Sequence, residues 1–127
     1  MGLNTPPDPK PARAPTKRYR RKVASRKQWA AIAAEKTGPC RVCGSLENGR
    51  VESRIQLHHV VARNHGGHDR PANIVPLCIG CHEDVTLRFQ PACRSMLEAL
   101  TDDEYAEMVA VGGETYAERA YSVRYTR

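Results

Sequence analysis

The chain has 127 residues, a net charge of +6, 9 Pro, 9 Gly, one Trp and one Phe, which suits one compact domain with a small core and excludes a large multidomain enzyme. No stretch approaches the roughly 18 apolar residues of a membrane span, and the basic N-terminus lacks the apolar run of a secretory signal. A cytoplasmic protein without a membrane partner is therefore expected. A reducing compartment would make its five cysteines candidates for metal binding rather than for disulfides.

The positive charge is concentrated. Residues 10–27, KPARAPTKRYRRKVASRK, hold nine of the 20 Lys and Arg residues and no acid. Such a run gains free energy by displacing counterions from a phosphate backbone. It predicts a nucleic-acid contact through Lys17, Arg18, Arg20, Arg21 and Lys22, the alternative being a solubilising disordered leader. Five prolines between Pro6 and Pro15 predict a disordered tail over residues 1–24.

A helix is expected next. Ser25 and Gln28 have capping-box spacing, Trp29, Ile32 and Ala33 form an apolar stripe, and Gly38-Pro39 is a stop. Trp29 reads as a core anchor. Cys40-Arg41-Val42-Cys43-Gly44 then forms a knuckle with both thiols turned to one point. Val51, Ile55 and Leu57 alternate through RVESRIQLHHVV, predicting a strand, and RNHGGHDRPAN has loop composition. IVPL, residues 74–77, is a short strand that Pro76 confines to an edge.

Beyond Cys81 a helix is expected, with Val85, Leu87 and Phe89 as packing residues. A second helix, residues 92–100, would pack through Met96, Leu97 and Leu100. Thr101 and Glu104 form another capping box, opening a helix over DDEYAEMVAV that ends at Gly112-Gly113. The last segment, with Tyr116, Ala120 and Val123, reads as a short helix. Cys93 is expected to pack as a small apolar side chain.

The chemistry turns on Cys78-Ile79-Gly80-Cys81-His82. This pentapeptide matches covalent haem attachment, but that reaction occurs outside the cytosol and would leave Cys40 and Cys43 unused. Two C-x-x-C pairs, Cys40/Cys43 and Cys78/Cys81, instead supply the four thiolates of a closed, structural Zn2+ site. The 34 residues between them would be a small unit clamped by the ion. All five histidines lie between positions 58 and 82. His58 and His59 are neighbours on a strand and must face opposite sides, so one can hold a metal while the other faces a substrate.

LHHVVARNHGGHDRPANIVPLCIGCH resembles the core of the HNH nuclease family, in the subgroup that places zinc knuckles around that core. The resemblance covers roughly residues 38–86. It departs at Ala62, where the family often has proline, and at Glu83, Asp84 and Val85, where it often has a basic residue. It implies an α+β fold, a small ββα-metal core clamped by the four-Cys site with flanking helices.

The resemblance makes His59 the general base, Asn73 the residue that orients it, and His58 and His82 the ligands of a catalytic divalent cation. With two imidazoles and no protein carboxylate, that site would accept Mg2+, Mn2+, Co2+, Ni2+ or Zn2+. His65 and His68 lie in the loop, facing either solvent or else the phosphate or the metal. The expected division is a tail over 1–24, a nuclease domain over 25–90 and a helical extension over 91–127. The implied activity is endonucleolytic hydrolysis of DNA, as a nick or a double-strand break. The similarity to small HNH proteins of tailed phages adds a role in DNA packaging beside a terminase, in the host cytoplasm. The alternative is a noncatalytic zinc-binding DNA-binding or adaptor domain. The acidic LTDDEY segment is either a docking face for a partner or a solvated helix.

Overall fold

The computed structural model describes residues 21–127; of the basic side chains named above, Lys17, Arg18 and Arg20 lie outside the described residues. The fold is α+β, a two-stranded antiparallel hairpin surrounded by five helices. No helix among the described residues is long and apolar enough to cross a membrane.

Helix α1, Arg26–Lys36, starts where the sequence predicts. Gln28 N donates to Ser25 Oγ at 3.1 Å and Ser25 N to Gln28 Oε1 at 2.9 Å, satisfying two amides the helix cannot pair internally. Only Ile32 of this helix is buried. Trp29 is half-buried rather than a core anchor, and its ring lies against an imidazole at the candidate site.

The knuckle after α1 is closed by Gly44 N donating to Cys40 O at 2.7 Å, with Gly44 at φ +74°. It docks on the hairpin through Arg41 N and Pro76 O, 3.0 Å apart. Strand β1 is shorter than the predicted run, Ile55–His59. Val51 stands outside it, exposed in the single turn of 3-10 helix Val51–Ser53. Strand β2, Ile74–Cys78, pairs with it in the register Ile55↔Cys78, Leu57↔Pro76 and His59↔Ile74. Pro76 is tolerated because a two-stranded sheet has only edge strands. The loop between the strands turns back sharply at two glycines. Gly66 sits at φ +88°, and a Cβ on Gly67 would lie 1.7 Å from Val61 O, so a side chain there would break the loop.

Helix α2, Ile79–Thr86, follows β2 directly and buries Val85. Leu87 and Phe89, expected to pack, are 79% and 54% exposed. The helix has already ended at Thr86, and Arg88 at φ +59° turns the chain so that its neighbours leave the buried face. Helix α3, Gln90–Glu98, buries Ala92, Cys93, Met96 and Leu97.

Helix α4, Asp102–Gly112, begins with the predicted Thr101–Glu104 capping box. Asp102 and Asp103 are exposed, but Glu104 is 1% exposed and turns inward. It binds Lys36 of α1, and both arms of the Arg41 guanidinium reach it at 2.7 and 3.0 Å. Thus one acid of the LTDDEY segment joins α1, the knuckle and α4 instead of facing a partner. Helix α5, Tyr116–Tyr121, buries Tyr116, Ala117 and Tyr121. One continuous core runs from Cys40 through Val60, Leu77 and Met96 to Val123. The helices beyond Phe89 therefore share the hairpin's core.

Candidate active site

Two side chains at the end of β1 define the site, and pleating sends them to opposite faces. His58 turns toward α2, where its Nδ1 lies 3.2 Å from His82 Nε2. The outer nitrogen of each ring is engaged. His58 Nε2 is 2.9 Å from Tyr121 Oη, and His82 Nδ1 is 2.6 Å from Gln56 Oε1. With those nitrogens donating, the facing pair, His58 Nδ1 and His82 Nε2, presents two lone pairs to one point.

Burial, with the nearby His82 and His59, pushes the His58 pKa down to about 3. Burial also lowers that of His82. Both rings are therefore neutral near pH 7, the form in which an imidazole can ligate a metal. Two imidazole nitrogens about 2.0–2.1 Å from one ion stand about 2.8–3.0 Å apart in cis-octahedral and about 3.3–3.4 Å apart in tetrahedral geometry, so the 3.2 Å spacing falls in the range of a divalent cation's ligands.

His59 faces the other way. Its Nε2 is 2.8 Å from Asp69 Oδ1, and its ring is stacked on Trp29 with centroids 5.7 Å apart and planes inclined by 5°. Arg63 Nε lies 3.4 Å from both His59 Nε2 and Asp69 Oδ1. Since the Nε2 proton goes to the carboxylate, the guanidinium serves Asp69. Among the described residues no protein group hydrogen-bonds His59 Nδ1, which keeps its lone pair. Burial lowers the His59 pKa and outweighs the opposing pull of the Asp69 hydrogen bond.

Asp69 is the junction on this side. It also accepts from Arg21 at 2.7 Å and from Ala24 N at 3.0 Å, while its own N–H donates to Lys22 O at 2.8 Å. Burial raises its pKa, but the Ala24, His59, Arg21 and Arg63 contacts together bring it below the usual value. The segment before α1 is thus tied beside His59, and Arg21, Val23, Ala24, Arg63, Asn64 and Asp69 line an open cleft there. The carboxylate of Asp69 is paired with the imidazole of His59, and none is aimed at the His58–His82 pair among the described residues, as the sequence predicts for the ion site.

Asn73 is buried and bonds only backbone. Its Oδ1 accepts from Val61 N at 2.8 Å, and its Nδ2 donates to Val61 O and His68 O at 3.0 Å each. It fixes the chain leaving His59, whereas the direct partners of the imidazole are Asp69 and Trp29. The loop histidines divide. His68 is buried, with Nδ1 accepting from Lys22 N at 2.6 Å, and exposed His65 bonds Tyr116 Oη at 3.0 Å. His68 is therefore neither solvated nor free for a phosphate.

The four sulfurs of Cys40, Cys43, Cys78 and Cys81 lie within 4.8 Å of one another. Four thiolates about 2.3 Å from a tetrahedral ion stand about 3.8 Å apart, and Cys43 Sγ to Cys78 Sγ is 3.9 Å. The Ser45 hydroxyl pulls the Cys43 pKa down to about 6, whereas burial raises Cys78 and Cys81. Thiols so buried ionise when a cation shares their site, and this donor set fits a closed metal site.

Gln56, Asp69 and Tyr121 were not singled out from the sequence, and Trp29 was read only as packing. The alternation that finds a strand says nothing about which distant side chain meets its histidines. Residues 40–88 match the model of a family described as HNH endonuclease. No curated protein and no solved structure matches the chain. A hairpin bearing His58 and His59, a following helix bearing His82 and a four-cysteine cluster all fall within that matched stretch, and residues 40–88 are an HNH endonuclease domain.

Proposed function

We propose that the protein is a metal-dependent endonuclease that hydrolyses phosphodiester bonds of DNA. The observation that carries this reading is the approach of His58 Nδ1 to His82 Nε2, at 3.2 Å, with both outer nitrogens engaged. His58 and His82 would hold a divalent cation there, which would supply Lewis acidity to the scissile phosphate. His59 acts from the opposite side of β1. Its Nδ1 takes a proton from water as the water oxygen bonds phosphorus and the P–O3′ bond breaks. The departing oxygen takes a proton from solvent, giving a 5′-phosphate and a 3′-hydroxyl.

Asp69 holds the proton on His59 Nε2, which keeps Nδ1 basic, and Trp29 supports the ring plane. Asn73 contributes by fixing the backbone at Val61. Arg21, Arg63 and the basic run before them supply a cationic surface for the phosphate backbone. Zn2+ in the four-cysteine cluster has a structural role. Work beside a packaging terminase in a phage-infected cell rests on the resemblance to small phage HNH proteins. It predicts co-purification with that machine.

The test is conversion of supercoiled plasmid by zinc-retaining protein freed of other metals, with Mg2+, Mn2+, Co2+ or Ni2+ added singly and His59→Ala in parallel. Metal-dependent nicked or linear product that disappears in the variant is expected. DNA binding without conversion in any metal would favour the noncatalytic zinc adaptor.

A further inference from the structure

The candidate ion site draws on chain beyond the segment matched to the HNH family. Tyr121 lies in α5 and is buried, with its hydroxyl donating to Val60 O while His58 Nε2 stands 2.9 Å away. A phenol has one proton, and a carbonyl can only accept. The Tyr121 proton therefore goes to Val60, and its oxygen lone pair accepts the proton of His58 Nε2. This leaves His58 Nδ1 unprotonated where it faces His82 Nε2 at 3.2 Å.

A second tyrosine of α5 meets the same strand exit. Tyr116 Oη accepts from Ala62 N at 3.0 Å and bonds His65 Nδ1 at 3.0 Å. Proline at position 62 would have no N–H to give. The alanine and α5 belong together, and the helix is stitched to the chain on both sides of Val61.

We propose that Tyr121 is a positioning residue for metal binding: it holds His58 in the Nε2–H tautomer, so that Nδ1 offers its lone pair to a first-row divalent cation. This makes α5 part of the nuclease site, and it rests on the reading of His58 and His82 as ion ligands. An outer hydrogen bond of this kind fixes ring direction and raises ligand basicity, and its removal typically weakens metal binding about 10–100-fold.

The test is calorimetric titration of Ni2+ into full-length protein carrying a single zinc ion per chain, as wild type, Tyr121→Phe and His58→Ala, together with 15N NMR of the histidine rings before Ni2+ is added. Wild type should bind one Ni2+ that His58→Ala abolishes, and its His58 should carry the Nε2–H signature. Tyr121→Phe should keep its zinc and fold, bind Ni2+ about 10–100-fold more weakly, and lose the single tautomer. A purely structural tyrosine would leave the tautomer unmoved. Unchanged affinity with an unchanged tautomer in Tyr121→Phe overturns the proposal. A wild type that binds no Ni2+, or binding that survives His58→Ala, overturns the ligand reading and the proposal with it; that failure is recognisable because it does not depend on the Tyr121 variant. Should Tyr121→Phe fail to fold, an Nδ1–H tautomer for His58 in wild type overturns the proposal alone.

Discussion

Asp69 Oδ1 stands 2.8 Å from His59 Nε2, so the imidazole at the end of β1 is held by a carboxylate ten residues along the chain. That pairing decides which nitrogen of His59 is basic. In Asp69→Asn the amide can donate to Nε2 and move the ring proton to Nδ1, the wrong atom for attack. Cleavage should slow by about 10²–10⁴-fold, the share a positioned general base supplies, with plasmid binding retained. Steady-state rates with binding measured separately check this.

The same pair has a pH signature. The His59 pKa lies below its ordinary value because burial outweighs the upward pull of Asp69. A base works when neutral, so cleavage should hold below pH 6.5 and fail only as pH drops through the lowered value. Removing the carboxylate removes an upward influence. The acid limb of whatever activity Asp69→Asn retains should therefore move to still lower pH. A limb that moves upward would place the titrating base elsewhere.

Glu104 is buried among Lys36, Arg41 and the Thr101 amide. Burial raises its pKa, but these partners together bring it below the usual glutamate value. A depressed carboxylate stabilises the fold above its unfolded pKa, and that stability is lost as pH falls through the folded value. Glu104→Gln should destabilise by about 3 kcal/mol at neutral pH, from lost charge-assisted hydrogen bonds. The difference from wild type should shrink toward acid pH. Urea unfolding at several pH values measures both.

The cysteine cluster should be required for the fold. Structural zinc in small domains contributes on the order of 10 kcal/mol, comparable with the entire stability of a domain this size. Cys78→Ser or chelation should release the ion and unfold the hairpin, read as lost near-ultraviolet dichroism and zinc content. Cys93 is fully buried outside the cluster. Cys93→Ala should keep its zinc and lose only about 1 kcal/mol.

Deleting residues 1–20 removes five basic side chains and one acid while leaving Arg21, Ala24 and their contacts with Asp69. DNA affinity should fall about equally for all sequences, and the salt slope should flatten by up to about four, at roughly 0.9 per lost phosphate contact. Fluorescence anisotropy over a salt series provides the measurement. An unchanged slope would show that those residues do not contact DNA.

What could be read directly from the sequence is local chemistry. The Ser25–Gln28 and Thr101–Glu104 capping boxes, the two C-x-x-C knuckles and the His58–His59 alternation each depend on residues a few positions apart. At that range, backbone geometry alone decides where side chains point. The pairing of the knuckles, and of His58 with His82, became legible through resemblance to a family pattern.

Tertiary structure decided the rest. Trp29 reaches His59 because α1 packs against β2 and the turn that precedes it, and Tyr121 reaches His58 because α5 shares its core, a hydrogen bond between residues 63 apart in sequence. Glu104 looked like one acid of a solvated run until Lys36 and Arg41 were brought to it. Leu87 and Phe89 looked like core until the left-handed turn at Arg88 took them off the helix face. Periodicity along a chain fixes which face a side chain takes within its own element. What waits on that face depends on how distant elements pack, and this small shared core brings those partners to the site.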